Sequence, residues 1–208
     1  MRVLLARHGQ TDWNAAGKIQ GVSDVPLNER GREQAAVLAG RVLDAGAISA
    51  VYTSPLKRAR ETAEIIGRRL GLEPVPVGAL TELNFGDWEG CSWEEIGARW
   101  PEQLAAYEAD RNNYAPPNGE SYAVMLGRAW PFVDGLRRTA GGAALCVCHS
   151  AVMRGILARE EGLTVCPRCI AIDYGTGILA REEGLTVAES YRKIKLPNGS
   201  VFGLQSLV

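Results

Sequence analysis

Short apolar runs alternate along this chain with longer segments of helical period. Val3-Leu4-Leu5-Ala6 is apolar at consecutive positions, the pattern of a strand buried on both faces in a parallel sheet. Residues 17–28 are polar and rich in turn formers, and Asn28 stands where it can cap a helix running through Glu33, Ala36, Leu38 and Val42 to Gly46. Ile48 to Thr53 reads as a second strand. Ser54-Pro55 then predicts a helix start, with serine as the cap and proline at the first helical position, where the missing N–H has no intrahelical partner in any case. A third strand is expected near Pro74 to Val77. Ser92-Trp93-Glu94-Glu95 fits a capping box before a helix that ends near Trp100-Pro101, and a further helix follows to about Asp110. After the loop Pro116-Pro117-Asn118-Gly119, Ser121 to Arg138 has helical period, with Pro131 inside and expected to kink it. Ala143 to Cys148 is the clearest strand, and Ser200 to Gln205 a last short one after Asn198-Gly199. Strands alternating with helices predict an α/β fold, a three-layer sandwich in which a mostly parallel sheet is flanked by helices on both faces.

Composition narrows the class. The chain has 208 residues, enough for one domain with a sizeable core. Its formal net charge of −1 points to neither a nucleic-acid nor a membrane partner, so any basic site must be assembled locally by folding. No apolar run reaches membrane-spanning length, and the opening MRVLLARHG is too short in its apolar part for a signal peptide. Five cysteines, an odd number, fit a reducing compartment, and the expected location is cytoplasmic.

The chemistry gathers at strand ends. The chain has two histidines, and each follows an apolar strand directly: Arg7-His8-Gly9 after VLLA, and His149-Ser150 after ALCVC. Either alone reads equally well as a turn or capping residue. Together they mark the carboxyl edge of the sheet, where open α/β sheets bind ligands beside a topological switch point. Ser54-Pro55-Leu56-Lys57-Arg58 leaves the second strand at the same edge. Arg58 in the first helical turn, with Arg7, makes a two-arginine clamp of the kind phosphate oxygens favour. Within Thr81-Glu82-Leu83-Asn84-Phe85-Gly86-Asp87-Trp88-Glu89-Gly90, Glu82 is placed for partial shelter and proton donation, with Glu89 as its rival.

On these residues the chain resembles the histidine phosphatases of the phosphoglycerate mutase-like superfamily. The matching motifs, in family order, are RHGQTDWN (7–14), IQGVSDVPLNERGREQA (19–35), YTSPLKRARETA (52–63), ELNFGDWEG (82–90), PNGES (117–121) and VCHSAVMR (147–154). The resemblance implies a phosphoglycerate mutase-like fold and a nucleophilic His8 that becomes phosphohistidine. It implies that Arg7, Arg58 and His149 grip the phosphoryl oxygens and that Glu82 donates the proton. Asn14, Gln20 and Gly21, with Ser150 of the last motif, are expected to line the phosphate pocket. No metal and no cofactor are implied, since arginines neutralise the charge. A short lid region, about 84–122, is similar to the phosphatase branch rather than to the mutases, whose segment after the glutamate is longer. The expected function is hydrolysis of a small phosphorylated metabolite, with similarity to alpha-ribazole and broad-specificity phosphatases. A cofactor-dependent phosphoglycerate mutase and a non-catalytic phosphate-binding module are the alternatives. Trp93, Trp100, Tyr107 and Tyr114 either select the leaving group or belong to the core.

One feature stands outside the family pattern. GILAREEGLTV at Gly155 to Val165 recurs letter for letter at Gly177 to Val187. One sheet offers one groove for such a helix, so residues 166–187 are expected to be a duplicated insertion and a route to a homodimer. Cys166 and Cys169 have the spacing of half a zinc site. Cys146 and Cys148 alternate in a strand and read as small apolar core residues.

Overall fold

The structure, a computed structural model, describes residues 1–44 and 47–160 in full, and the backbone of two strands at 178–181 and 184–188. In chain order the elements are β1 (Arg2–Arg7), α1 (Asp12–Ala15), α2 (Glu29–Asp44), β2 (Ile48–Thr53), α3 (Lys57–Leu70) and β3 (Val75–Pro76). Then come α4 (Trp93–Arg99), α5 (Pro101–Ala109), α6 (Tyr122–Arg138), β4 (Ala143–Cys148), α7 (Ser150–Glu160), β5 (Ile178–Arg181) and β6 (Gly184–Ala188). One sheet joins all six strands in the order β3-β2-β4-β1-β5-β6. The four from β3 to β1 are parallel, and β5 and β6 add antiparallel pairings at one edge. The expected α/β architecture is present.

Alternation along the strands explains the two outer layers. Leu4 and Ala6 of β1, with Leu145 and Val147 of β4, pack against Leu38, Ala39 and Val42 of α2 and Ala59, Ala63 and Ile66 of α3. Val3 and Leu5, with Ala144, Cys146 and Cys148, face the other way, onto Met125, Ala129 and Val133 of α6 and Val152, Met153 and Ile156 of α7. Every residue of β4 is buried, which is why that stretch is apolar without a break. Burial among these side chains pushes the Cys146 thiol up to about 12, so it behaves as an apolar filler.

Local signals set most of the boundaries. Asn28 Oδ1 accepts the Gly31 N–H at 2.9 Å and opens α2. Ser92 and Glu95 form the capping box of α4, and Ser121 caps α6. Helix α6 continues across Pro131 to Arg138. Gly71, at φ 69°, ends α3 in the left-handed conformation that glycine adopts without a Cβ penalty.

One boundary differs from its sequence signal. Helix α3 begins at Lys57, with Leu56 as its cap residue, not at Ser54-Pro55. Ser54 is fully buried, and its hydroxyl lies 2.8 Å from Nε2 of His149. A side chain held by a partner from another strand does not close the first turn of its own helix, and 54–56 remain a turn.

The duplicated sequence also resolves unequally. In the first copy Gly155–Glu160 belongs to α7; in the second, Ile178–Arg181 is a strand beside β1. Identical residues take opposite secondary structures, as expected where tertiary context outweighs propensity. Cys166, Cys169 and the strand expected at 200–205 lie outside the described residues.

Candidate active site

Strands β1 and β4 are neighbours, yet the helices that follow them lie on opposite faces: α2 on one, α7 on the other. This is the switch point of the sheet, and both histidines sit in its crevice. The His8 N–H extends the sheet by donating to the Cys148 carbonyl at 3.1 Å, and the Ser54 N–H donates to Val147 at 2.9 Å. The imidazole centroids of His8 and His149 are 5.1 Å apart, and both rings are buried.

Each ring is oriented by a different partner. Nδ1 of His8 lies 2.7 Å from the carbonyl oxygen of Gly9, an acceptor only, so Nδ1 carries the hydrogen and Nε2 keeps its lone pair. Gly9 itself is required by the close approach of α2, since a Cβ there would fall 2.3 Å from the Gly31 carbonyl oxygen. On His149, Nε2 meets Ser54 Oγ, while Nδ1 is buried with no hydrogen-bond partner. Ser54 Oγ also accepts the Leu56 N–H at 3.3 Å and keeps both its own proton and a second lone pair, so this contact accommodates either neutral tautomer of His149. Burial first, then the Arg58 and Arg7 guanidiniums, hold the proton affinity of His8 well below the usual histidine value. Burial, Arg58 and His8 do the same to His149. Both rings are therefore neutral at neutral pH, His8 with its lone pair on Nε2 and His149 with Nδ1 unpartnered.

Arg7 ends β1 beside His8 and is almost wholly buried. Arg58 is fully buried in the first turn of α3. Two of its five N–H groups donate to the carbonyls of Ser23, at 2.7 Å, and Gly21, at 2.6 Å, and its Nε has no protein partner. Desolvation lowers its pKa to about 10, with Glu82 and Asp24 opposing, and it stays charged. A buried cation with a donor to spare, next to two neutral imidazoles, is a receptor for an anion.

Glu82 is buried in the segment between β3 and α4, and its carboxylate reaches this cluster against the N-terminus of α7. Oε1 accepts the N–H of Leu83 at 2.9 Å and of Val152 at 3.3 Å, and Oε2 accepts that of Ala151 at 3.1 Å. The acid is thus parked on the first turn of the helix that follows His149. Arg128 fixes its backbone, donating to the carbonyls of Ala79, Thr81 and Glu82 and to the carboxylate of Glu120. Glu89, the rival, lies elsewhere: it accepts from Val22, Ser23 and Phe85 and does not reach α7 among the described bonds.

The structure brings Arg7, His8, Arg58, Glu82 and His149 together. Of the remaining expected residues, Gln20 is buried against the Thr11 hydroxyl, and Gly21 adopts φ 51° and hands its carbonyl to Arg58. Asn14 spends its amide oxygen on the capping box of α1 with Thr11. Ser150 begins α7 beside His149. Tyr107 belongs to the core, stacked on Trp93, which is 42% exposed, while Trp100 and Tyr114 pack at the core's margin. Sequence reasoning missed Ser54 as the partner of His149, and Arg128 and Glu120 as the clamp on Glu82. Ser54 and Glu120 stand inside matching motifs, YTSPLKRARETA and PNGES, but Arg128 has no local signal.

The crevice, its two histidines and its arginines define a class. Residues 3–173 match the histidine phosphatase superfamily (branch 1), and the chain belongs to that family. A metal-independent phosphoserine phosphatase of Arabidopsis thaliana is 35% identical over 160 residues, covering 76% of this chain and 67% of the relative. A glucosyl-3-phosphoglycerate phosphatase of Mycolicibacterium vanbaalenii is 36% identical over 173 residues, covering 79% and 76%. Among solved structures, Bacillus stearothermophilus YhfR superposes with a TM-score of 0.79 at 32% identity, covering 90% of this chain and 95% of that one. The protein is a phosphoric monoester hydrolase of the phosphoglycerate mutase-like fold, acting on small phosphorylated metabolites.

Proposed function

We propose that hydrolysis runs through a phosphohistidine on His8. The observation that carries this reading is the fixed tautomer of His8, with Nδ1 held by the Gly9 carbonyl and Nε2 open beside Arg58 and His149. Nε2 attacks phosphorus, the P–O ester bond breaks, and protonated Glu82 gives its proton to the departing oxygen. Glu82, now a carboxylate, takes a proton from water as that water attacks phosphorus and the P–N bond breaks. Arg7, Arg58 and His149, the last as the tautomer that keeps its hydrogen on Nδ1 and accepts the Ser54 hydroxyl at Nε2, stabilise charge on the phosphoryl oxygens throughout. Glu82 reaches the leaving group by releasing the α7 amides it holds here.

The leaving group lies toward residues 84–122, which we read as the lid. Arg111 sits over the Tyr107 ring at 4.8 Å, and Arg154 hydrogen-bonds the Tyr122 hydroxyl. Both arginines share the electrostatic neighbourhood of Tyr107 and Tyr122 with Glu82. Two cations beside the proton donor favour a metabolite that carries a second anionic group. The phosphoserine and glucosyl-phosphoglycerate of the relatives' names fit that description.

The reading treats the chain as one domain, with residues 166–187 an insertion dispensable for chemistry; loss of turnover on joining Val165 to Ala188 would overturn that. The three described cysteines are free and buried, in keeping with a cytoplasmic location, and none of the described helices is long and apolar enough to cross a membrane.

The test is a turnover screen over metabolite phosphates with an aryl phosphate as reference, followed by rapid quench. Acid-labile phosphate on His8 and preference for leaving groups that carry an anionic group of their own are expected. Phosphate trapped on another residue would remove His8 as nucleophile. Phosphoryl transfer between phosphoglycerate and bisphosphoglycerate in place of hydrolysis would mark a mutase.

A further inference from the structure

Glu89 has no place in the reaction just described, yet it is among the most heavily bonded carboxylates in the molecule. Its Oε1 accepts the N–H of Val22 at 2.8 Å and of Phe85 at 3.2 Å. Its Oε2 accepts the N–H of Ser23 at 2.9 Å and the Ser23 hydroxyl at 2.5 Å. Four donors from two loops converge on one carboxylate, tying the segment that follows Glu82 to residues 21–23. The fit is close: a Cβ on Gly21 would lie 1.9 Å from Oε1 of Glu89, at a φ of 51° that already favours glycine. Val22 and Ser23, whose N–H groups point at Glu89, belong to the short turn whose carbonyls, on Gly21 and Ser23, receive the Arg58 guanidinium.

We propose that Glu89 is a positioning residue for phosphate recognition: it pins residues 21–23 so that their carbonyls hold Arg58 in its phosphoryl-gripping orientation. The inference rests on Arg58 gripping the phosphoryl group. Working at one remove has a physical purpose. A carboxylate placed directly on Arg58 would occupy its fork bidentately and compete with the substrate for its charge. Two carbonyls take two of the five donors, leave the cation unneutralised and leave Nε without a protein partner. Glu89 supplies the rigidity from the far side of the turn, and the buried cation needs a rigid seat because, among the described hydrogen bonds, only these two carbonyls hold its forked end.

The mutation that tests this is Glu89→Gln, which keeps one acceptor oxygen and turns an NH2 toward backbone donors. Ser23→Ala, which removes one of the four donors, is the milder variant if Glu89→Gln lowers the melting temperature severely. Inorganic phosphate is the probe, read both as an inhibitor of aryl phosphate turnover and by calorimetric binding. The inhibition constant for phosphate and the KM should rise together, by about tenfold or more, the size of losing charge-assisted hydrogen bonds. Loss in kcat should be smaller. In an Arg58→Ala background, Glu89→Gln should add almost nothing to the loss of phosphate binding. Unchanged phosphate binding, or an effect fully additive with Arg58→Ala, overturns the proposal. So does a loss confined to esters with poor leaving groups, since that marks Glu89 as a proton donor. If the wild type binds phosphate and Glu89→Gln weakens it without any turnover in either, the catalytic reading fails and the positioning role stands.

Discussion

His8 and His149 occupy matching places, each the first residue after a central parallel strand, and their partners divide the labour between them. His8 rests on a backbone carbonyl, which fixes one tautomer outright because a carbonyl cannot donate. His149 rests on a hydroxyl, which can give or take a hydrogen and so admits either tautomer. The firmer restraint falls on the ring that must attack; the softer one falls on the ring that only donates. Strand position alone does not separate nucleophile from oxyanion donor. The atom each ring rests on does.

The widest gap between the two rings should open on deletion. His8→Ala removes the atom that bonds phosphorus and should cost at least about 10⁴-fold in kcat, since no other described group offers a lone pair there. His149→Ala removes one preorganised donor and should cost about 10²- to 10³-fold while still allowing phosphate to be trapped on His8. Steady-state turnover with rapid quench measures both. Equal losses, or trapping that survives His8→Ala, would erase the distinction.

In acid the two rings should behave alike. They are the only histidines in the chain, both are buried, and both are held well below the ordinary value. The unfolded chain takes up two protons near pH 6.5 that the folded chain refuses, so histidine-linked stability is complete above that pH and falls as pH drops. As pH falls below 6.5 the slope rises toward a ceiling of about 2.7 kcal/mol per pH unit, about 1.4 for each ring, for as long as the folded rings stay neutral. Urea midpoints across that window measure it. His8→Asn and His149→Asn should each remove half. A slope untouched by one of them would mean that ring is already charged in the fold.

Much of this was legible before folding. Apolar runs marked β1, β2 and β4, and six motifs in order marked the residues that meet in the crevice. Three things were not. Ser54 carries a helix-start signal in a buried turn, and only the approach of His149 from another strand diverts it. Arg128 lies 46 residues from Glu82 and clamps it through backbone carbonyls, which leave no trace in side-chain pattern. The twin of GILAREEGLTV is invisible to any local rule. The first copy is helical in Gly155–Glu160, following β4 and packed beside α6, while Ile178–Arg181 of the second pairs with β1. Local sequence assigns structure only where one environment competes for it.

The finest discrimination between the two histidines comes from Ser54→Ala. The substitution leaves the Gly9 carbonyl and the His8 tautomer untouched. It strips His149 of the hydroxyl that holds its ring at Nε2, leaving that atom buried without a partner. A neutral hydrogen bond of this kind is worth about 1 kcal/mol, so kcat should fall about fivefold, with the extent of His8 phosphorylation unchanged. The effect should pass entirely through His149, and Ser54→Ala in a His149→Ala background should therefore cost almost nothing more. A loss that persists there would place Ser54's contribution in the turn at 54–56, through the Leu56 N–H, and not in the orientation of the donor ring.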